Sequence, residues 1–376
     1  MNRTYVGLGI SVAIDPNRTW ATYSVGLPKA SFGGIGFTDN VCGRGGQGAV
    51  MIRREFITLL GGTAVAWPRV ARTQPASVPV IGFLSSRSSN ESAQVMSAFR
   101  KGLGETGYVD GRNVKIEYRW AEGEYKRLPK LAAELIQQSV TVIATGGGVV
   151  SALAAKAATD TIPVVFAGVS DPVGMGLVAS LSKPGGNITG ASHFSSELAA
   201  KRLALLHELI PNGRVIAALH NPKFPNALEL SDLQAATSAL ALQLRTLNAS
   251  ILGDIDRVFA TLAEQKADAL VVISDPFIDG QREKIVQLVA LRSLPAIYSF
   301  REFVEVGGIM SYGTNLAETY SKAGNYVGRV LHGEKPIDLP VVQPTKFELI
   351  LNLKTAKTLG LDIPARLLAT ADEVIE

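Results

Sequence analysis

Lys115-Ile-Glu-Tyr-Arg-Trp, Arg127-Leu-Pro-Lys-Leu-Ala-Ala-Glu-Leu-Ile and Val140-Thr-Val-Ile-Ala-Thr-Gly-Gly-Gly read in turn as a strand, an amphipathic helix and a buried strand that ends in a polar loop. The same grammar returns in Gln243-Leu-Arg-Thr-Leu, Ile255-Asp-Arg-Val-Phe-Ala-Thr-Leu-Ala-Glu and Ala269-Leu-Val-Val-Ile-Ser-Asp-Pro. The parallel extends outward: Val78-Pro-Val-Ile-Gly-Phe-Leu precedes the first copy as Arg214-Val-Ile-Ala-Ala-Leu precedes the second, and Ile162-Pro-Val-Val-Phe-Ala follows one as Leu294-Pro-Ala-Ile-Tyr-Ser follows the other. Short apolar runs between helices are the mark of parallel strands covered on both faces. The pattern therefore predicts an α/β protein of two Rossmann-like lobes whose parallel sheets are joined by crossing strands. Ligands of such sheets sit outside the carboxyl ends of the strands, so two lobes with facing strand ends enclose a cleft.

Crossings are expected near Gly185-Gly186-Asn187-Ile-Thr-Gly, at Gly307-Gly308-Ile-Met-Ser-Tyr-Gly and near Val341. They divide the chain into lobe one, 78–192 plus 309–340, and lobe two, 193–308 plus 341–376. At 376 residues there is room for two substantial cores. The net charge of +4 is concentrated early, residues 1–50 contributing +2 and residues 51–72 contributing +3. The remainder carries −1, which argues against a nucleic-acid partner.

Met51-Ile-Arg-Arg-Glu-Phe-Ile-Thr-Leu-Leu-Gly-Gly-Thr-Ala-Val-Ala has the basic start, apolar run and small-residue exit of a signal peptide. Arg53-Arg54 followed by Phe56 matches a twin-arginine export signal over 51–73. Export signals stand at the start of a chain, so residues 1–50 are read as a spurious or disordered leader, with Met51 as the true start. The single cysteine, Cys42, falls in that leader. The mature protein is then expected to carry no disulfide, thiol nucleophile or lipid anchor, and to be periplasmic.

Hydroxyls, amides and glycines gather where strands end. Ser85 and Ser86 follow the first strand, Thr145, Gly146 and Gly147 follow the third, and Ser170 and Asp171 follow the fourth. Lobe two offers Asn221 and Asp275, with Tyr298, Phe300 and Tyr312 as possible apolar walls. The glycine run lacks the Lys-Ser/Thr of a P-loop and the full dinucleotide fingerprint. Exposed N–H groups at a helix start, with the Thr145 hydroxyl, would instead suit a carboxylate, although Ser, Thr and Gly also cap helices without any ligand. Asp171 and Asp275, each before a proline, could hold an ammonium group or merely make turns. His193, His207, His220 and His332 are scattered, which gives no metal site, and no G-x-S-x-G elbow supports a catalytic serine.

Gly82-Phe-Leu-Ser-Ser, Gly102-Leu-Gly-Glu-Thr-Gly-Tyr-Val-Asp-Gly-Arg-Asn-Val, Ile162-Pro-Val-Val-Phe-Ala-Gly-Val-Ser-Asp-Pro-Val, Pro184-Gly-Gly-Asn-Ile-Thr-Gly and Ala356-Lys-Thr-Leu-Gly-Leu-Asp-Ile-Pro together resemble the ABC transporter substrate-binding proteins that include tryptophan/tyrosine-binding lipoproteins. The resemblance implies a type I periplasmic-binding fold, a small-molecule ligand caught by lobe closure, and delivery to a permease and ATPase complex. It implies no cofactor, no catalysis and a monomer. It also implies that Ser85, Ser86, Thr145, Gly146, Asp171, Asn221 and Asp275 hold an amino acid or a similar zwitterion. The chain lacks the lipobox cysteine of the lipoprotein members. A ligand-sensing module of the same fold is the alternative, and an enzyme using the cleft is a more remote one.

Overall fold

The computed structural model describes residues 78–193, 196–225, 227–262 and 264–376. The expected leader, 1–50, and signal segment, 51–73, lie outside the described residues. All described residues belong to one compact unit, Ala71–Glu376.

The first sheet is made of β1 (Val80–Ser85), β2 (Lys115–Trp120), β3 (Val142–Gly146), β4 (Val164–Val169) and β5 (Ile188–Ser192), all parallel in the order β2-β1-β3-β4-β5. Helix α1 (Ala93–Gly104) covers one face, while α2 (Leu128–Gln137) and α3 (Val149–Ala158) cover the other. β3 and β4 are buried along their whole length, as two-sided cover requires.

After α4 (Ser196–Leu209) the second sheet begins with β6 (Val215–His220), β7 (Gln243–Asn248), β8 (Ala269–Val272) and β9 (Ala296–Tyr298). Between them run α5 (Ala227–Ala239), α6 (Leu252–Leu262), α7 (Pro276–Gly280) and α8 (Arg282–Leu291), and α9 (Arg301–Glu305) follows β9. The order β7-β6-β8-β9 reproduces β2-β1-β3-β4. The repeated grammar of the sequence is thus a repeated topology.

β10 (Met310–Gly313) extends the second sheet beside β9, in the position that β5 holds in the first. This corrects the expected lobe boundary at residue 309. The chain crosses after the strand, at Thr314 and Asn315, and α10 (Leu316–Leu331) then packs on α1. Glycine makes that crossing close. A Cβ on Gly102 would lie 1.8 Å from the Ser321 carbonyl oxygen, and one on Gly324 would lie 2.0 Å from that of Phe99. Lobe one then continues to Val342, whose N–H donates to the Gly190 carbonyl at 2.9 Å.

The third crossing brings β11 (Glu348–Asn352) antiparallel to β10, followed by α11 (Leu353–Thr358), α12 (Ala365–Thr370) and β12 (Glu373–Ile375) at the sheet edge. Arg301 ties this tail down, meeting Glu348 at 3.4 Å and Glu373 at 2.7 Å. Inside lobe two, Arg202 and Glu229 form a buried pair at 2.7 Å, and Arg202 Nε also donates to the Tyr312 carbonyl. No helix among the described residues is long and apolar enough to cross a membrane.

Candidate ligand-binding site between the lobes

The carboxyl ends of the two sheets face one another across a narrow cavity of about 30 Å³ that is partly open to solvent. From lobe one, Arg87, Gly147, Ser170, His193 and Tyr320 reach its wall. From lobe two come Phe224, Ser274, Asp279 and Phe300. Three carbocyclic rings, one imidazole and one ion pair therefore surround the space.

The ion pair spans the lobes. Arg87 follows β1 and Asp279 lies on α7, and Nη2 of one meets Oδ2 of the other at 2.9 Å with both side chains buried. Burial opposes the Arg87 charge, but Asp279, helped by Tyr320, Glu302 and Glu91, more than offsets it, and Arg87 stays firmly protonated. Burial pushes Asp279 up to about 7 against the pull of Arg87, and the like charges of Asp275 and Glu302 push in the same direction. The pairing is incomplete: Nε of Arg87 and Oδ1 of Asp279 have no hydrogen-bond partner. Leaving a buried polar group unmatched costs about 1–3 kcal/mol, more for a charged one.

On the far side of the pair is a second cavity of about 140 Å³, where Glu91, Arg282 and Glu302 join Arg87 and Asp279. His193 stands just after β5 with its ring edge-on to Phe300, centroids 5.7 Å apart. Burial and the nearby Arg202 and Arg87 charges lower its pKa to about 4, opposed only by the Gly168 backbone.

A second set of contacts closes the lobes beside this space. The Tyr125 hydroxyl donates to Asp275 Oδ2 at 2.8 Å and accepts the Phe277 N–H at 3.2 Å. Asp275 also caps α7 by accepting the Ile278 N–H at 2.9 Å, and it takes a further bond from Asn221 Nδ2 at 3.2 Å. Burial nevertheless raises it to about 6, against the pull of those three donors and the Phe277 N–H.

Of the residues singled out in the sequence, Gly147, Ser170 and Phe300 reach the cavity wall. Asp275 and Asn221 instead serve the latch. Ser85 Oγ accepts the Arg87 N–H at 3.1 Å, and Ser86 Oγ donates to the Gly147 carbonyl at 2.6 Å, so both shape the loops. Gly146 lies beneath Tyr320 and Phe83. Thr145 is buried with its hydroxyl unpartnered, away from the cavity wall.

One N–H of the carboxylate cradle expected of the glycine run is taken, since Gly147 N–H donates to the Tyr320 hydroxyl at 3.0 Å. Asp171 is a turn residue whose Oδ1 accepts the Gly174 N–H at 2.8 Å. Tyr298 stacks on Phe303 in the lobe-two core, and Tyr312 lies near Phe347, so neither lines the cavity. Nor are Asp171 and Asp275 counterparts: the strand order makes β8 the equivalent of β3, so the loop matching Ser274-Asp275-Pro276 is the glycine run. Those two equivalent loops meet, a Cβ on Gly148 lying 3.3 Å from Pro276.

A family described as ABC transporter substrate binding protein matches residues 77–375. The chain belongs to that family. A tyrosine-binding protein of Clostridioides difficile strain R20291 is 29% identical over 264 residues, which cover 70% of this chain and 75% of the relative. Among solved structures, an ABC domain from Streptococcus pneumoniae in complex with L-Trp matches with 29% identity and a TM-score of 0.73, over 80% of this chain and all of the other. A ligand-free, open substrate-binding protein with adhesive properties from Clostridium difficile is 25% identical with a TM-score of 0.58, over 79% and 99% of the two chains. The fold is that of type I periplasmic-binding proteins. The cross-lobe ion pair and latch describe a closed arrangement of the two lobes.

Proposed function

We propose that this protein captures a zwitterionic amino acid of the aromatic class between its lobes and presents the closed complex to an ABC permease and ATPase. The observation that carries this reading is the unfinished Arg87–Asp279 pair. A guanidinium nitrogen and a carboxylate oxygen, both buried and unpartnered on two ion-paired residues of the cavity wall, have the charges and valences of an α-carboxylate's and an α-ammonium's partners. Phe224, Phe300 and Tyr320 offer apolar surface for a ring. The two relatives named for tyrosine and complexed with L-Trp support the same ligand class.

Ligand contacts to both lobes favour the closed state. Export through the Arg53-Arg54 signal to the periplasm, and action there as a free monomer, complete the proposal. A thermal-shift screen of the protein freed of carried-over ligand tests it, using amino acids, sugars, purines and organic acids. A ligand at 100 times its Kd adds about 2.7 kcal/mol of stability. Stabilisation by tyrosine or tryptophan is expected, and stabilisation confined to a non-zwitterion would overturn the assignment.

A further inference from the structure

Beyond the Arg87–Asp279 pair lies the second cavity, whose volume of about 140 Å³ exceeds the 30 Å³ or so of the first. Arg87, Asp279, Phe300 and Leu316 line both, so the two spaces share a wall. One water needs about 10–15 Å³, so the second cavity has room for several linked heavy atoms. Its chemistry differs from that of the aromatic-lined first. Glu91 enters from lobe one and Glu302 from lobe two, joined by one further cation, Arg282, whose Nη1 donates to the Asp279 carbonyl at 3.2 Å. With Arg87 and Asp279 offsetting each other, two carboxylates stand against one guanidinium. Asp279 Oδ1 and Glu302 Oε2 are buried without hydrogen-bond partners. Burial holds the Glu302 carboxyl above its ordinary range, and the Arg87 and Arg282 charges do not bring it back down. Glu91 reaches the space from across the cleft, since a Cβ on Gly280 of α7 would lie 2.6 Å from its Oε2. Both lobes thus build this cavity, and a group held in it favours closure.

We infer that the second cavity is a subsite for an ammonium group carried one residue beyond the aromatic residue's own nitrogen, so that the preferred ligand is dipeptide-sized with its aromatic residue at the carboxyl end. The inference rests on the amino-acid reading of the first cavity. The terminal carboxylate still meets Arg87, and a peptide N–H takes the place of the α-ammonium as donor to Asp279. The amino terminus then lies past the ion pair, where the excess negative charge supplies it with charge-assisted hydrogen bonds. A free amino acid leaves the Glu302 carboxyl buried and unmatched, a cost that is larger for a charged group than for a neutral one.

Calorimetry on the intact protein compares L-tyrosine, glycyl-L-tyrosine, N-acetylglycyl-L-tyrosine, in which the ammonium is blocked, and L-tyrosylglycine, extended at the opposite end. The wild type is expected to bind glycyl-L-tyrosine about tenfold or more tighter than each of the other three, the range of one hydrogen bond to a charged group. Glu302→Gln, which keeps the shape of the side chain and removes its charge, is expected to narrow the margin over L-tyrosine to about threefold. Glycyl-L-tyrosine binding no tighter than L-tyrosine, or no tighter than its acetylated form, overturns the inference and leaves the amino-acid reading standing. A margin unchanged in Glu302→Gln also overturns it, and the wild-type comparison decides where that variant fails to fold. Failure of all four ligands to bind overturns the amino-acid reading and this inference with it.

Discussion

Asp171-Pro172 and Asp275-Pro276 look alike in the sequence and do different work in the fold. Each aspartate accepts the N–H of the residue three positions on, Gly174 in one case and Ile278 in the other. There the likeness ends. Asp171 stays half-buried in a local turn, whereas Asp275 is buried and receives Tyr125 from a lobe 150 residues away in sequence. A cap is set by residues next to one another, so sequence can announce it. A latch is set by where two lobes meet, and the sequence of either loop is silent about that.

The largest break in this comparison comes from Asp275→Ala. It removes the α7 cap and strands the Tyr125 hydroxyl and the Asn221 amide, so unfolding of the ligand-free protein by urea should show a loss of about 2 kcal/mol. Asp275→Asn sharpens the same point through pH. The folded-state pKa of about 6 lies above the ordinary carboxyl value, so this group contributes stability that is fully present in acid and is lost as pH rises through 6. The fall in melting temperature between pH 4 and pH 7 should be shallower in Asp275→Asn than in the wild type, the remaining slope being set by Asp279 and Glu302, whose raised pKa values act in the same direction, against His193, whose lowered pKa acts in the opposite one.

Tyr125→Phe leaves the cap intact and cuts both cross-lobe bonds of the hydroxyl, to Asp275 and from Phe277. It should weaken every bound ligand by about tenfold or more in calorimetry, since each hydrogen bond of the closed state contributes about 1 kcal/mol, with little change in ligand-free melting. Asp171→Ala is the smallest. The loss of its turn costs at most about 1 kcal/mol, and ligand affinity should stay within about twofold, the opposite of what a binding role for this residue requires.

The duplicated lobes were legible because β1, β3 and β4, like β6, β8 and β9, are apolar runs of strand length, with the more polar edge strands β2 and β7 and amphipathic helices at matching places between them, a local pattern. The β10 boundary was not. Gly307-Gly308 looks like a crossing but precedes a strand that pairs with β9, while the true crossing at Thr314 and Asn315 carries no Gly or Pro to mark it.

The site was legible in position rather than in residues. Strand-end loops do supply its walls, and Gly147 and Ser170 are among them. Arg87 was visible as the one cation in a run of hydroxyls and amides, yet loop cations are usually solvated, and nothing nearby names a partner 192 residues away on α7. His193 read as one of four scattered histidines, and only β5 and the first crossing bring it against Phe300.

The central claim is that Arg87 and Asp279 complete their pairing with a zwitterion, and titration of L-tyrosine into the wild type and Asp279→Asn tests it most directly. The account predicts one-to-one binding by the wild type, weakened about thirtyfold or more in Asp279→Asn, because a buried charge-assisted hydrogen bond to the ammonium is lost. Equal affinity of the two proteins for tyrosine would contradict it.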